Sequence, residues 1–287
     1  MHYMNKDFYL LLDTCLCCAY AVNIWLEEFQ GHENFKGVLL REAPPSDTLL
    51  QQRNEFHLRH AGQKTPHKAL LDELRELYPY IDEAEEAMIR LFGIPQYSIN
   101  ASPNTFFLGK NINGNAAQDW MQKNIGDSQP LIFSHLGQIV KPWWIQVAGG
   151  YLFNVHSAVL PYARGINAIE NVAASQEVVL FKQSAGLSIH LIDQGVDTGA
   201  IISALRVNEP FRFDSIWELK GYVYKMGYHA YVDVAKRFIF NDPLLPASIM
   251  SNPDLWGPNF KSKDFTEQQK RRAEEGYLAM QAKERLG

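Results

Sequence analysis

A glycine-rich turn is missing from the first strand-to-helix junction of this chain. Residues 8–13 (FYLLLD) read as a strand, residues 19–29 as an amphipathic helix and residues 35–40 (FKGVLL) as a second, parallel strand. Between the first two stands Thr14-Cys15-Leu16-Cys17-Cys18, with no glycine. A dinucleotide-binding protein carries Gly-x-Gly-x-x-Gly there, so that backbone can approach a pyrophosphate. The β-α-β opening therefore argues against a nicotinamide-dependent dehydrogenase. Cysteine is also scarce: the three in the chain, Cys15, Cys17 and Cys18, fall within four residues. Neighbours that close cannot staple distant parts of a fold, which points to a reduced, cytoplasmic protein. They read as small buried apolar residues, and no metal site is expected.

Two further absences narrow the class. No run of about twenty apolar residues exists, so no membrane span is expected. The apolar residues 8–21 include Asp13 and lack a basic leader, as befits a strand entering a helix and not a signal peptide. A net charge of -5 supplies no basic surface for a phosphate backbone, so nucleic acid is not the expected partner. With 46% hydrophobic and 21% charged residues, the 287-residue chain has the balance of a globule able to bury a core.

From residue 43 the composition shifts. Pro44-Pro45 opens a polar stretch, and residues 69–78 and 82–92 carry apolar residues at helical spacing. This 43–95 segment reads as a helical insertion in an α/β domain. Its His57, His60 and His67 lack nearby acids or cysteines in sequence and read as solvated or capping residues. Strands are expected at 105–110 and 130–134, with a helix at 115–123 between them. Trp143 and Trp144 are expected to pack the next helix. Beyond residue 206 the chain reads as helical: 213–240 is long and aromatic, 244–258 is a proline-containing connection, and 267–285 is a charged helix with Thr266 as N-cap. The division expected is a catalytic α/β domain over 1–205 and a mainly helical region over 206–287.

Residues 151–202 concentrate the chemistry. A strand at 151–155 ends in Asn154 and His156, where open α/β sheets place ligands. Leu160-Pro161 stops it, Arg164-Gly165 turns the chain, and a short helix is expected at 166–174. Extended stretches are expected at 178–181 and 188–192, before Gly195-Val196-Asp197-Thr198-Gly199. Asn offers an amide donor, His exchanges a proton near neutral pH, and Asp orients the His or collects a proton. Two residues apart on a strand, Asn154 and His156 point to the same side. Together the three suit acyl transfer to an amine, which needs an oxyanion stabilised and an ammonium proton removed. Ser157 beside the histidine lacks a nucleophile-elbow pattern.

The ordered set Asn154, His156, Leu160, Pro161, Arg164, Gly165, then Gly186, Ser188, His190, then Asp193, Gly195, Asp197, Gly199, Ile201 and Ile202 resembles the 10-formyltetrahydrofolate-dependent formyltransferases. The resemblance is close over residues 130–205 and only in outline over the first forty. It implies a Rossmann-like, open, mainly parallel sheet, with the helical insertion and helical C-terminal extension added. It implies Asn154, His156 and Asp197 as the catalytic set, His190 in support, and 10-formyltetrahydrofolate as formyl donor with no metal. The loop His135-Leu136-Gly137-Gln138-Ile139-Val140 is implied to grip the folate ring through its backbone, with Asp193 and Gly195 completing the folate site. Members usually carry Pro-Ser or Ala-Ser after the histidine, where Ser157-Ala158 stands here; that bears on substrate fit.

The implied acceptor is the amino group of a small metabolite, either a nucleotide-linked amino sugar or a hydroxyornithine-type amino acid. Members acting on the purine precursor usually have a glycine-rich first turn, and those acting on initiator tRNA add a C-terminal β-barrel; neither is seen here. Hydrolysis of 10-formyltetrahydrofolate, or folate binding without turnover, stand as alternatives. The C-terminal helices are a candidate homodimer interface or pack on their own domain.

Overall fold

The computed structural model describes residues 6–240 and 248–286. The chain forms two compact units. One comprises the chain up to Asn154 and the stretch beginning at Tyr231; the other comprises Val155–Ala230 and the C-terminal stretch.

The first unit opens with β1 (Phe8–Asp13), α1 (Leu16–Phe29) and β2 (Phe35–Arg41). Helices α2 (Asp47–His60), α3 (Lys68–Leu77) and α4 (Glu83–Phe92) follow, then β3 (Thr105–Phe107), α5 (Asn115–Asn124), β4 (Leu131–His135), α6 (Pro142–Val147) and β5 (Leu152–His156). The pairs β1–β2, β1–β4, β2–β3 and β4–β5 are all parallel. Strands buried on both faces need near-continuous apolar runs, and β1 supplies one in Phe8–Leu12, all buried. Within this unit the strand order is β3-β2-β1-β4-β5. Order reverses between β1 and β4, and the crevice beyond the carboxyl ends of such strands is where open α/β sheets take ligands.

The expected insertion holds three helices. The polar stretch after Pro45 is α2, N-capped by Ser46, whose hydroxyl accepts the Leu49 N–H at 3.2 Å. Asp82 and Glu85 close a capping box on α4. His67 caps α3 by accepting the Leu70 N–H at 3.2 Å, as expected. His57 does not follow its expectation: it is fully buried. Its Nδ1 lies 2.7 Å from the Pro95 carbonyl oxygen and its Nε2 2.7 Å from the Tyr78 hydroxyl. Helix spacing that brought His57 and Phe56 inward carried no sequence signal, because α2 is polar overall. Arg53 is buried too, reaching both Glu42 carboxylate oxygens at 2.8 and 2.9 Å and the Leu77 carbonyl at 2.9 Å.

The second unit continues with β6 (Arg164–Gly165), α7 (Ala168–Ser175), α8 (Val178–Ser184), β7 (Gly186–Leu191), β8 (Ile201–Arg206), α9 (Ile216–Ile239, whose end lies in the first unit), β9 (Asn259–Phe260) and α10 (Glu267–Leu286). The stretch 178–181, expected to be extended, is helical. Only Phe181 and Ser184 of α8 are buried, a spacing of one turn, while Val179 is 71% exposed. The antiparallel partner of β7 is instead β8, which pairs Leu187 with Leu205 and Ser188 with Ala204. Of the 244–258 connection, residues up to 247 lie outside the described residues; the rest contains a 3-10 turn at Pro253–Leu255.

Helix α10 packs on α7, so closely that a Cβ on Gly276 would lie 2.1 Å from the Ala173 carbonyl oxygen. Its Tyr277 hydroxyl donates toward the Pro210 and Phe213 carbonyls at 2.9 Å each. Arg271 and Arg272 of this charged helix are exposed. Before α10, the chain straps across the turn that follows β5. Gly257 N–H donates to Pro161 O at 2.8 Å, Arg164 N–H to Pro258 O at 2.9 Å and Ile166 N–H to Phe260 O at 3.1 Å. The Arg164 guanidinium lies 4.5 Å from the Trp256 ring centroid. No helix among the described residues is long and apolar enough to cross a membrane.

Candidate functional site

In the first unit, the candidate residues sit at strand ends. Ser134 pairs with Asn154 across β4–β5. The Ser134 hydroxyl donates to the Phe153 carbonyl at 2.7 Å, and the buried Tyr231 hydroxyl donates to the Ser134 carbonyl at 2.7 Å. These bonds fix the end of β4, from which His135–Val140 departs. Asn154 itself is half-buried.

The loop 135–140 is held by side chains absent from the sequence-derived site. Gly137 donates its N–H to Asp13 Oδ2 at 2.7 Å, so the loop is tied to the end of β1. Asp13 is in turn paired with Arg41 at the end of β2. Gln138 accepts the Ile112 N–H at 3.0 Å and donates to Asn111 Oδ1 at 2.9 Å. Asn113 donates to the Ile139 carbonyl and accepts the Lys141 N–H, both at 2.8 Å. The Ile139 side chain is 73% exposed, while His135, Leu136 and Val140 are half-buried. Nothing in the spacing of Asp13, Asn111 and Asn113 marks them as loop anchors; only the tertiary fold brings them together. Trp144 is buried in α6, its Nε1–H donating to Ile112 O at 3.0 Å, with Trp143 stacked on it at 4.6 Å.

In the second unit, three side chains that are far apart in sequence converge. His156 at the end of β5 is buried, with Nδ1 3.6 Å from Asp197 Oδ2. Its Nε2 faces the Ala163 carbonyl at 3.0 Å, a contact in which Nε2 must carry the hydrogen. His190 on β7 approaches the other oxygen, with Nε2 3.4 Å from Asp197 Oδ1 and Nδ1 2.9 Å from the Leu191 carbonyl. Asp197, whose side chain is 12% exposed, sits between the two imidazoles in the left-handed region at φ 52°. Asp tolerates that conformation better than most residues. It also accepts the Gly165 N–H at 2.7 Å. Burial alone would raise the Asp197 pKa; His156, His190 and the Gly165 N–H outweigh it and hold the carboxyl well below the usual range.

Asp193 and Gly195 lie on the exposed turn just before Asp197. The Asp193 carboxylate accepts the Gly195 N–H at 2.9 Å and the Thr198 hydroxyl at 2.7 Å, so it shapes that turn. Asn154 and His156 leave β5 two residues apart and therefore on the same side of the strand.

The fold defines an open-sheet α/β protein whose polar residues gather at strand ends. The sequence pattern of the formyl transferase family matches residues 90–234, just over half of the chain, and the chain belongs to that family. Over 97 residues it is 29% identical to a phosphoribosylglycinamide formyltransferase of Bacillus subtilis, a stretch covering 33% of this chain and 46% of that protein. A phosphoribosylglycinamide formyltransferase of Haemophilus influenzae is 27% identical over 141 residues, 47% of this chain and 63% of that one. The match thus spans between about half and under two thirds of these curated relatives. An N-formyltransferase from Helicobacter canadensis, solved with folinic acid and dTDP-3-aminofucose, shares the fold with a TM-score of 0.51 at 16% identity, over 94% of this chain and 80% of that one.

Proposed function

We propose that this protein transfers a formyl group from 10-formyltetrahydrofolate to the amino group of a small metabolite. The observation that carries the reading is the Asp197 carboxylate held between His156 and His190, on a chain of the formyl transferase family. The acceptor is a nucleotide-linked amino sugar or a hydroxyornithine-type amino acid. The amino-sugar nucleotide in the Helicobacter canadensis structure supports the first of these by fold alone.

The folate loop fits its intended group. A pterin ring presents alternating donors and acceptors, which backbone N–H and C=O groups can match. Residues 135–140 form a loop whose backbone is fixed by Asp13 and Asn113, so its remaining groups are held in place without ligand. In this reading Asp193 and Gly195 also contact the folate. The donor supplies a formyl group whose leaving group is tetrahydrofolate.

The side chains handle charge and protons. The Asn154 amide and a protonated His156 donate to the oxygen that gains charge when the amine attacks. His156 already has an acceptor at each ring nitrogen, so one contact yields when it turns to a substrate oxygen. The 3.6 Å approach to Asp197 is the weaker of the two by distance. Asp197 keeps the imidazole oriented and helps remove the amine proton, which passes to a water. His190 and Gly165 hold Asp197 in position.

The test is tetrahydrofolate release from 10-formyltetrahydrofolate, with and without a panel of nucleotide-linked amino sugars, ornithine, hydroxyornithine and lysine derivatives. Release that depends on one amine class supports transfer and names the acceptor. Formate release without any amine would replace transfer with hydrolysis. Absence of folate binding would overturn the reading altogether.

A further inference from the structure

We propose that Cys15, Cys17 and Cys18 form a binding site for one thiophilic d10 cation, monovalent copper in trigonal coordination, with zinc as the divalent competitor. All three cysteines are buried, and none is in a disulfide. Their Sγ atoms all lie within 4.8 Å of one another. A metal–sulfur bond of about 2.3 Å places the sulfurs of a trigonal site about 4.0 Å apart. The cluster therefore needs adjustments on the scale of one side-chain rotation. The Cys15–Cys17 pair, at 2.7 Å, opens to reach that spacing.

The local backbone explains why three sulfurs converge. Cys15 is the N-cap of α1, and Cys17 and Cys18 stand in its first turn. An N-cap is usually Ser, Thr, Asp or Asn, whose oxygen accepts an N–H of the first turn. Cys15 makes no such bond, so its sulfur is not committed to capping. The Cys17 N–H is already taken by the buried Glu85 carboxylate at 2.9 Å, which braces the first turn against α4.

Position in the fold gives a second, independent reason to expect a ligand. The cluster follows β1, at the point where strand order reverses between β1 and β4. Such switch points are where open α/β sheets take ligands. A glycine-rich turn would prepare this one for a phosphate; three thiols prepare it for a soft cation.

Ion type follows from the donor set. Among the described residues, the only such cluster is these three sulfurs, with no imidazole or carboxylate completing it. Zinc in closed sites takes four ligands, so here it would need a water, whereas monovalent copper is satisfied by three soft sulfurs. A disulfide serves fewer of them. Cys17 and Cys18 are adjacent, with Cα atoms about 3.8 Å apart, below the usual disulfide span of about 4.4 Å. Any one bridge leaves a third thiol behind. Coordination displaces one proton for each sulfur that binds.

The experiment uses the reduced, full-length protein under anaerobic conditions, titrated with monovalent copper held by a competing chelator. One ion per chain is expected, with a sulfur-to-copper charge-transfer band and an X-ray absorption shell of sulfur alone. Because all three cysteines are buried, alkylation is compared with and without copper in mild denaturant, where the bound ion should slow it at all three sulfurs of the wild-type chain. A chain with Cys15→Ser, Cys17→Ser and Cys18→Ser, checked for native circular dichroism, should lose the one-to-one binding. The single variant Cys17→Ser should weaken it and bring nitrogen or oxygen into the shell. Three results would overturn the proposal: no copper retained against the chelator, equal binding by the triple variant, or alkylation no slower with copper present. Tight zinc binding with no copper binding would also overturn it.

Discussion

Asp197 accepts the backbone N–H of Gly165 at 2.7 Å, joining two turns that lie 32 residues apart. Through that bond the turn after β5 and the turn after β7 hold one carboxylate. His156 and His190 bracket the same carboxylate from its two oxygens.

Gly165→Ala should disrupt this arrangement from a distance. Gly165 has φ +84°, and an added Cβ would lie 2.0 Å from the Phe260 carbonyl oxygen. The left-handed backbone alone costs a side chain about 1–2 kcal/mol, and the clash adds to it. Urea denaturation should show that loss, and formyl transfer should fall with it. A variant as stable and active as the wild type would show that β6 and β9 do not constrain the site.

His156→Ala should lower the turnover number by about 10²–10⁴, the usual contribution of a positioned acid–base group. Asp197→Asn should leave folate binding intact and reduce turnover, the pattern of an interaction made mainly in the transition state. Isothermal titration with a folate analogue, run beside steady-state kinetics, separates the two effects. Unchanged turnover in either variant removes that residue from the chemistry.

His57 predicts a pH dependence of stability unconnected with catalysis. Burial pushes its pKa down to about 4, from an ordinary value near 6.5. Because the folded value lies below the unfolded one, its contribution is full above pH 6.5 and is lost as pH falls towards 4. Linkage puts the loss between pH 7 and pH 5 at roughly 2 kcal/mol. His57→Gln should flatten that part of the curve of unfolding free energy against pH. An equally steep fall in the variant would assign it to another group.

Arg53→Met should destabilise the insertion strongly. The guanidinium is buried, holds both oxygens of Glu42 and caps the Leu77 carbonyl. Removing one partner of a buried pair costs about 3–5 kcal/mol. Thermal unfolding would measure it, and a shift within error of the wild type would show that Glu42 finds another partner or is solvated.

Legibility in the sequence followed the kind of signal each element carries. The residues of β1 form an unbroken apolar run, and its bounds at Phe8 and Asp13 could be read directly. Helix α8 misled because Val178 and Val179 suggest a strand, whereas its burial is set by one helical face. His57 looked solvated because its neighbours in sequence are polar; the atoms that bury it, Pro95 O and Tyr78 Oη, come from other segments. In the site, the motif spacing pointed to His156, Asp197 and His190 together. It gave no hint of Asp13 or Asn113, since a side chain that fixes a loop's backbone leaves no periodicity.

The strap from Gly257 to Phe260 has a consequence for the order of synthesis. Arg164 and Ile166 emerge from a ribosome nearly a hundred residues before the carbonyls that receive their N–H groups. A nascent chain that ends short of Asn259 can carry Asn154, His156 and Asp197 and still lack the strand that braces the turn around its carboxylate. The stretch made after Ile202 therefore adds no motif residue, yet it supplies the clamp that finishes the site.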